Sequence, residues 1–500
     1  MGAAVSVEPA TISPSRAARP LVMSIDIGSS SVRAALHDRH GRTLRRCTIQ
    51  LPYTWDVGAD GAVRLPHDKL IDVVAQSIDG FVNKIGPLAS DVVAAGISCF
   101  LHSVAGLNGA GQPVTPVLSW ADTTSRSLAA SLRLSIDATQ AQTCTGAPIH
   151  ASYWPARILQ LRNEYPTVQH WVGFPELVAA SLTGRSVVSR SMASGTGLFD
   201  RARGTWSAQL LEQLGVAASD LPILVDDNET IGQLTGVAAK RWAALAHVSW
   251  FAPWGDGACH SVGLATSGPG MAALMVGTSG AMRVLVDEPA PTIPPGLFAY
   301  RLGAGGLVGG QLSEGGGLLA WASKQFHTSS AAMERAALEI SPDGHGLTVL
   351  PFVFGERGLG YHDCARGTIH GIGADTDAAA IYRAIIESIA YSFAAIDDEL
   401  ATVLKTTPTI TASGGALTRS PLLAQVIADS LGRDITVTRS LEASLRGAAL
   451  LALQSHGAIG DLRGISAPPG HTVRSDAARS TRYRAARERR NALYEVLLCK

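Results

Sequence analysis

The stretch Leu21-Val-Met-Ser-Ile-Asp-Ile-Gly-Ser-Ser-Ser-Val-Arg-Ala-Ala-Leu-His37 decides the fold class. Residues 21–27 are a short apolar run with the acidic Asp26 near its end, and Gly28 stops it. Three serines follow, and residues 31–37 form a second such run. Asp38-Arg39-His40-Gly41 then reads as a hairpin turn, in which Gly41 is free to take positive φ. Further out, residues 92–98 predict a buried strand. Residues 67–83 predict a helix, with Leu70, Val73, Val74, Ile78 and Phe81 at helical spacing. The pattern returns near residue 271: an apolar run over 271–276, the turn Gly277-Thr278-Ser279-Gly280, and a return run over 281–286. A third unit is a strand over 410–415 that ends in a glycine pair. Its helix has Ser420 as N-cap, Pro421 at the first turn and Gly432 past the end, and a strand follows over 435–438. Strands alternating with helices predict an α/β fold. The echo near 21 and 271 predicts two related halves, with a boundary near 265 at the Ser267-Gly268-Pro269-Gly270 turn. The expected organisation is a disordered leader over 1–20, a first domain over 21–265 and a second over 266–500.

Composition narrows the function classes. The chain has 500 residues, 46% hydrophobic and 16% charged, which excludes general disorder. Lys+Arg and Asp+Glu both count 41, so no basic excess points to nucleic acid. No apolar run reaches the roughly 18 residues of a membrane span, so no membrane partner is expected. Residues 1–20 lack the apolar core of a signal peptide. Cys47, Cys99, Cys144, Cys259, Cys364 and Cys499 are scattered, which suits a reducing cytoplasm. The stretch 474–490 reads as a solvated helix with Tyr483, Leu493 and Leu497 as its apolar stripe.

Five places could carry chemistry. In Asp26-Ile-Gly28-Ser29-Ser30-Ser31 a carboxylate, three hydroxyls and several N–H groups converge. That set suits a phosphate chain with Mg²⁺, although by spacing alone an ordinary hairpin turn is the simpler reading. Gly277-Thr278-Ser279 repeats the logic. Ser413-Gly414-Gly415 joins a strand to a helix N-terminus. Asp256, between Gly255 and Gly257, reads as a carboxylate in a sharp turn with little cover, able to accept a hydroxyl proton. Trp120 and Asp122, with His102 upstream, suit a polyol: the ring covers C–H surface and the carboxylate takes hydroxyl hydrogens. Singly, each of these residues is as well explained by packing or a solvated turn. Neither a Walker A motif nor a Rossmann fingerprint after the first strand is present, so a nucleotide site must be of another kind, and a dehydrogenase is disfavoured.

Together these stretches resemble the FGGY carbohydrate kinases, a sugar-kinase branch of the actin-like ATPase superfamily. The segments that carry the resemblance are SIDIGSSSVRAALHD (24–38), PVLSWADTTS (116–125), TGAPIHASYWPARILQLRNEYP (145–166), SMASGTGLFD (191–200), VGTSGAMRVL (276–285), LPFVFGERGLGYHDCARGTIHGI (350–372) and SGGALTRSPLLAQVIADSLG (413–432). The S-W-A-D, T-G-x-P-x-H-x-S-Y and A-S-G-T-G-L-F-D segments look most like gluconate kinases.

The resemblance implies two actin-like (ribonuclease H-like) domains with an ATP and sugar cleft between them. It implies Asp26, Gly28, Ser29 and Ser30 in a first phosphate loop, Gly277, Thr278 and Ser279 in a second, and Gly414 and Gly415 against the adenosine. Asp256 would be the catalytic base, Asp26 and Asp256 would hold Mg²⁺ through water, and His102, Trp120 and Asp122 would meet the sugar. The implied reaction is ATP-dependent phosphorylation of a sugar or sugar acid, D-gluconate at its 6-hydroxyl. A ketopentose (xylulose-type) or other polyol kinase is the alternative, and a non-catalytic actin-like ATP-binding protein comes third. A homodimer is an open expectation. Three positions depart from the family pattern: Ser313-Glu314 before Gly315-Gly316, Tyr361-His362 after the G-E-R segment, and Ser189-Arg190 before A-S-G-T-G.

Overall fold

The computed structural model describes residues 10–362, 365–439 and 442–498. Cys364 and Cys499 lie outside them. The first sheet has β1 (Thr11–Ile12), β2 (Leu21–Ile27), β3 (Ser31–His37), β4 (Thr43–Pro52), β5 (Val92–Cys99), β6 (Thr230–Gly232) and β7 (Ser249–Phe251) in the order β1-β4-β3-β2-β5-β7-β6. The short strand Trp254–Gly255 pairs with the end of β5. Helix α1 (His67–Ile85) covers one face through Leu70, Val74, Ile78 and Phe81, the helical stripe its spacing predicts. Gly41, at φ +71°, closes the β3–β4 turn, a conformation open to glycine at no steric cost. Helix α2 (Asp256–Gly263) then leads out of the first half.

The second sheet repeats the first. Its strands are β8 (Met271–Val276), β9 (Gly280–Val286), β10 (Phe298–Leu302), β11 (Gly305–Leu312), β12 (Thr409–Ser413), β13 (Ile435–Thr438) and β14 (Gly470–Val473), in the order β10-β11-β9-β8-β12-β13-β14. In both sheets an antiparallel hairpin, β2–β3 or β8–β9, stands beside a parallel strand, β5 or β12. The echo in the sequence is therefore an echo in topology. The helices of this half are α3 (Ala378–Val403), α4 (Pro421–Leu431), α5 (Ala443–Ser455) and α6 (Ala477–Leu498). Among the described residues α3 alone has the length and hydropathy to cross a membrane, but 78% of its apolar window is buried inside the protein. Its Arg383 and Glu387 pair within the core at 2.7 Å, as buried charges must.

Two expectations are corrected and the domain boundary is refined. Residues 10–20 are not a disordered leader. Thr11 and Ile12 pair in parallel with Thr43 and Leu44, and Arg19 bonds Asp91 at 2.9 Å. The open edge of β4 accepts a short strand, a partner that local composition does not reveal. Residues 1–9 lie outside the described residues. Second, a cut near 265 separates the strands of the two sheets but not the packing. Helix α5, from the second half, lies on β2 and β5 of the first sheet and against α2. The approach is backbone to backbone: a Cβ on Gly96 would lie 2.2 Å from the Ala448 carbonyl, and one on Gly447 1.7 Å from the Cys259 carbonyl. Third, Tyr483 of α6 is buried and Leu493 packs on Leu350 and Phe352, but Leu497 is half exposed and leaves the stripe.

Candidate active site

Asp26 is placed by β2, whose pairing with β5 sets it opposite Ser98. The Ser98 hydroxyl donates to its Oδ1 at 2.7 Å, and an Arg33 Nη1 stands 3.5 Å from Oδ2. Burial pushes the Asp26 carboxyl up to about 6. Ser98 and Arg33 oppose the shift, and the nearby Asp256 and Glu442 add to it. In the loop that follows, the carbonyls are occupied. Tyr53 Oη donates to Gly28 O at 2.6 Å, Trp55 Nε1 to Ser29 O at 2.8 Å, and the Tyr53 N–H to Ser30 O at 3.0 Å. The loop therefore presents N–H groups and hydroxyls, the pattern an anion takes.

The second loop is built alike. Gly316 N–H donates to Gly277 O at 2.8 Å and Gly317 N–H to Thr278 O at 3.0 Å. A Cβ on Gly315 would lie 2.7 Å from Ser279 O, and one on Gly316 2.8 Å from Gly277 O, so this contact requires glycines. Glu314, which departs from the family pattern, is buried behind the loop. Its carboxyl is pushed up to about 8 by burial, faces Glu356 and Arg490, and does not line the cavity.

Both loops open on one cavity of about 690 Å³, with Asp26, Gly28, Ser29 and Ser30 from the first sheet and Gly277, Thr278 and Ser279 from the second. Asp256 also lines it. The expected exposed sharp turn is corrected here: Asp256 is the first residue of α2, and its Oδ1 accepts the Gly257 N–H at 2.8 Å. Strand Trp254–Gly255, fixed on β5, delivers it to the cleft. Burial raises its pKa, opposed first by the Arg283 charge. A smaller cavity of about 230 Å³ shares Asp26, Asp256 and Gly277 and is lined by Gly414 and Gly415. Gly414 has φ +115°, and a Cβ there would meet the Val276 carbonyl at 2.3 Å, so only glycine fits. His260 Nε2 is 2.7 Å from the Ser413 hydroxyl beside it.

His102 and Trp120 line the larger cavity on the side of the first half. His102 has φ +70°, its Nδ1 donates to Gly195 O at 2.6 Å, and burial lowers its pKa well below the usual value. It is thus a neutral imidazole with Nε2 as acceptor. Trp120 carries the Arg357 guanidinium 4.2 Å from its ring centroid. Asp122 is corrected: it is fully buried and does not line the cavity. Its Oδ2 accepts the Val63 N–H at 3.0 Å and Arg64 Nε at 3.1 Å, and its Oδ1 accepts the Thr124 N–H and hydroxyl. Every lone pair is in use, so it holds strands rather than substrate. Of the other departures, Ser189 caps a short helix by accepting the Met192 N–H, Arg190 pairs with Asp226, and Tyr361 packs near His150.

Sequence reading missed the two cleft arginines. Arg283 lies against α2, where a Cβ on Gly257 would touch its Nε at 2.8 Å, and Arg357 donates to Gln311 Oε1 at 3.2 Å. Burial pulls both guanidinium pKa values down. Arg283 Nη1 and Arg357 Nε are buried with no bond partner. The available signal was a charge inside an otherwise apolar strand, Ala-Met-Arg283-Val-Leu-Val.

The N-terminal domain model of the FGGY family of carbohydrate kinases matches residues 21–263, and its C-terminal domain model matches residues 272–456. The chain is similar to the gluconokinase of Bacillus subtilis (strain 168), 24% identical over 471 residues and 91% of each chain. It is also similar to the xylulose kinase of Streptomyces rubiginosus, 27% identical over 462 residues and 88% of each chain. The crystal structure of gluconate kinase from Lactobacillus acidophilus superposes with a TM-score of 0.88 at 24% identity, covering 96% of this chain and 98% of that one, and so shares the fold. With both domain models matched in order across the two-sheet architecture, the chain belongs to the FGGY family of carbohydrate kinases and is a phosphotransferase with an alcohol group as acceptor.

Proposed function

We propose that the protein transfers the γ-phosphoryl group of ATP to the 6-hydroxyl of D-gluconate. The observation that carries this reading is the charge at the acceptor end of the cleft. Arg283 beside Asp256 and Arg357 on Trp120 are buried guanidinium groups with unused donors, whose charge a sugar acid's carboxylate would pair and a neutral polyol's hydroxyls would not. The segments that resemble gluconate kinases support it, as does the likeness to a named gluconokinase. The 27% identity to a xylulose kinase keeps a ketopentose acceptor as the second reading.

In the proposed mechanism the loops at 28–31 and 277–280 hold the phosphate chain from opposite domains, and Gly414 and Gly415 lie along the adenosine. Asp256 accepts the proton of the attacking hydroxyl, which His102 Nε2 and the Trp120 face orient. Phosphoryl transfer has a loose transition state, so positioning and charge neutralisation dominate. The donor set fits a hard divalent cation: Asp26 and Asp256 offer carboxylate oxygens, and the Asp256 charge adds to the rise in the Asp26 pKa. These two carboxylates would hold Mg²⁺ through water, and the bound ion would supply charge neutralisation to the phosphates. Closure of the cleft would keep water, a competing acceptor, from the γ-phosphate.

A coupled ADP-release screen over gluconate, xylulose, ribulose and glycerol tests the reading. The highest kcat/KM is expected with gluconate. A ketopentose that outperforms gluconate would overturn the substrate assignment.

A further inference from the structure

A third cavity, of about 570 Å³, lies away from the cleft loops. One wall is the 40–48 stretch, the turn before β4 and the first half of that strand. The other is Arg439, Glu442, Arg446 and residues 464–469. Among the described residues five arginines line it against one carboxylate, in a chain whose charges balance overall at 41 and 41.

The backbone is bent to make it so. In a regular strand successive side chains point to opposite faces, so one of two neighbours on a half-buried strand goes inward. On β4, Arg45 and Arg46 are both exposed, between the buried Leu44 and Cys47. Arg46 has φ +65°, which a non-glycine residue rarely adopts, and the pairing of β3 with β4 shifts register between Ala35 and His37. A bulge of this kind re-aims a side chain, and here it puts two adjacent guanidinium groups on the cavity lip.

The remaining arginines are arranged to differ in role. Arg42 is held by Asp38 through Nε at 2.9 Å and Nη2 at 2.7 Å. Arg446 donates to Gly263 O at 2.6 Å and Ser466 O at 2.8 Å, and so ties the second wall to the end of α2. Arg45, Arg46 and Arg439 have no carboxylate partner among the described residues. Positive charge thus stands on both walls, with room between them for a small molecule.

We propose that this cavity binds a small phosphate-bearing anion with at least two negative charges, and that its occupancy is felt at the nucleotide end of the cleft. Guanidinium groups match phosphate oxygens in geometry as well as in charge. Two features link the cavity to the cleft. Glu442 lines both this cavity and the one at Gly414 and Gly415. Arg446 holds Gly263, the last residue of the helix that begins at Asp256. The coupling rests on the proposed nucleotide site, whereas the binding does not.

The test is calorimetric titration of inorganic pyrophosphate into the protein saturated with a non-hydrolysable ATP analogue, with Mg²⁺ in excess of both. One equivalent should bind. Arg45→Glu and Arg46→Glu should each weaken binding at least tenfold, while Arg484→Glu, on the exposed face of α6, should leave it unchanged. Pyrophosphate should also change the affinity of the intact protein for the analogue, and not that of Arg46→Glu, because coupling is reciprocal. No saturable binding, or equal binding by the charge-reversed variants, overturns the site. Binding lost in Thr278→Val and kept in Arg46→Glu reassigns it to the cleft and overturns it too. A filled site without change in analogue affinity overturns the coupling. Failure of the analogue itself to bind, with pyrophosphate still bound through Arg46, overturns the nucleotide reading and leaves the anion site standing.

Discussion

At the scale of single residues, two carboxylates that look alike in sequence have opposite environments. Asp256 stands at a helix start, lines the cleft and has Oδ1 on one backbone N–H. Asp256→Asn keeps the volume but cannot accept a proton. We expect kcat to fall by about 10²–10⁴-fold, the usual worth of a positioned base, with ATP-analogue affinity kept. Retention of more than half the wild-type kcat removes Asp256 from that role. Asp122 is saturated by Val63, Arg64 and Thr124. Asp122→Ala should cost about 1–3 kcal/mol of stability by stranding those buried donors. Denaturant midpoints and steady-state kinetics on the same samples distinguish the two roles. A large rise in KM at unchanged stability would return Asp122 to the substrate. Sequence could not separate them, because Asp122 takes two of its partners, Val63 and Arg64, from 59 and 58 positions away.

At the scale of elements, α4 was legible to its ends. Ser420 Oγ accepts the Leu423 N–H at 3.1 Å, and Gly432 closes the helix at φ +62°. The same hydroxyl donates to the buried Glu334 at 2.7 Å, a partner 86 residues away that no cap rule gives. Ser420→Ala should therefore cost about 1–2 kcal/mol, read from urea unfolding, where an exposed cap would cost the lower end. Helix α3 adds a pH term. Burial would raise the Glu387 carboxyl, but His345, donating through Nε2 at 3.0 Å, and Arg383 at 2.7 Å outweigh it and hold it below its ordinary value. A carboxyl whose pKa is lowered on folding contributes stability above its unfolded value, near 4.5, and loses it as pH falls through the folded value. Glu387→Gln should remove that acid-side loss and, by stranding buried Arg383, cost about 3–5 kcal/mol at neutral pH. Unfolding curves between about pH 3 and 7 check the sign. Stability of the variant that falls as steeply with acid as that of the wild type would assign the loss elsewhere.

At the scale of the whole molecule, the two halves are joined by the crossing of α2 and α5. Alanine at 447 would place Cβ 1.7 Å from the Cys259 carbonyl, and alanine at 263 would place it 1.8 Å from the Ala443 carbonyl. Both obstacles are backbone, so neither helix can give way without moving the other. Because α2 carries Asp256, a shift there reaches the cleft. Gly447→Ala should lose at least about 2 kcal/mol and lower kcat as well. Gly460→Ala, with nothing within 4 Å, should stay within about 0.5 kcal/mol of wild type. Equal unfolding midpoints for the two variants would show that the crossing tolerates separation.

The sequence by itself determined the hairpins, the two hydroxyl-rich loops and the repeated half. In β2–β3 and β8–β9 the partners are a few residues apart, so side-chain alternation and a glycine turn carry the whole instruction. Tertiary structure alone decided that Thr11 and Ile12 extend the first sheet, that α5 covers β2 and β5, and that Arg283 and Arg357 meet Trp120 and Asp256 in one cleft. The physical reason is common to all three. Periodicity states which face of an element is apolar and where a charge sits along it. It does not state which distant surface will cover that face, nor which charges that contact will bury together.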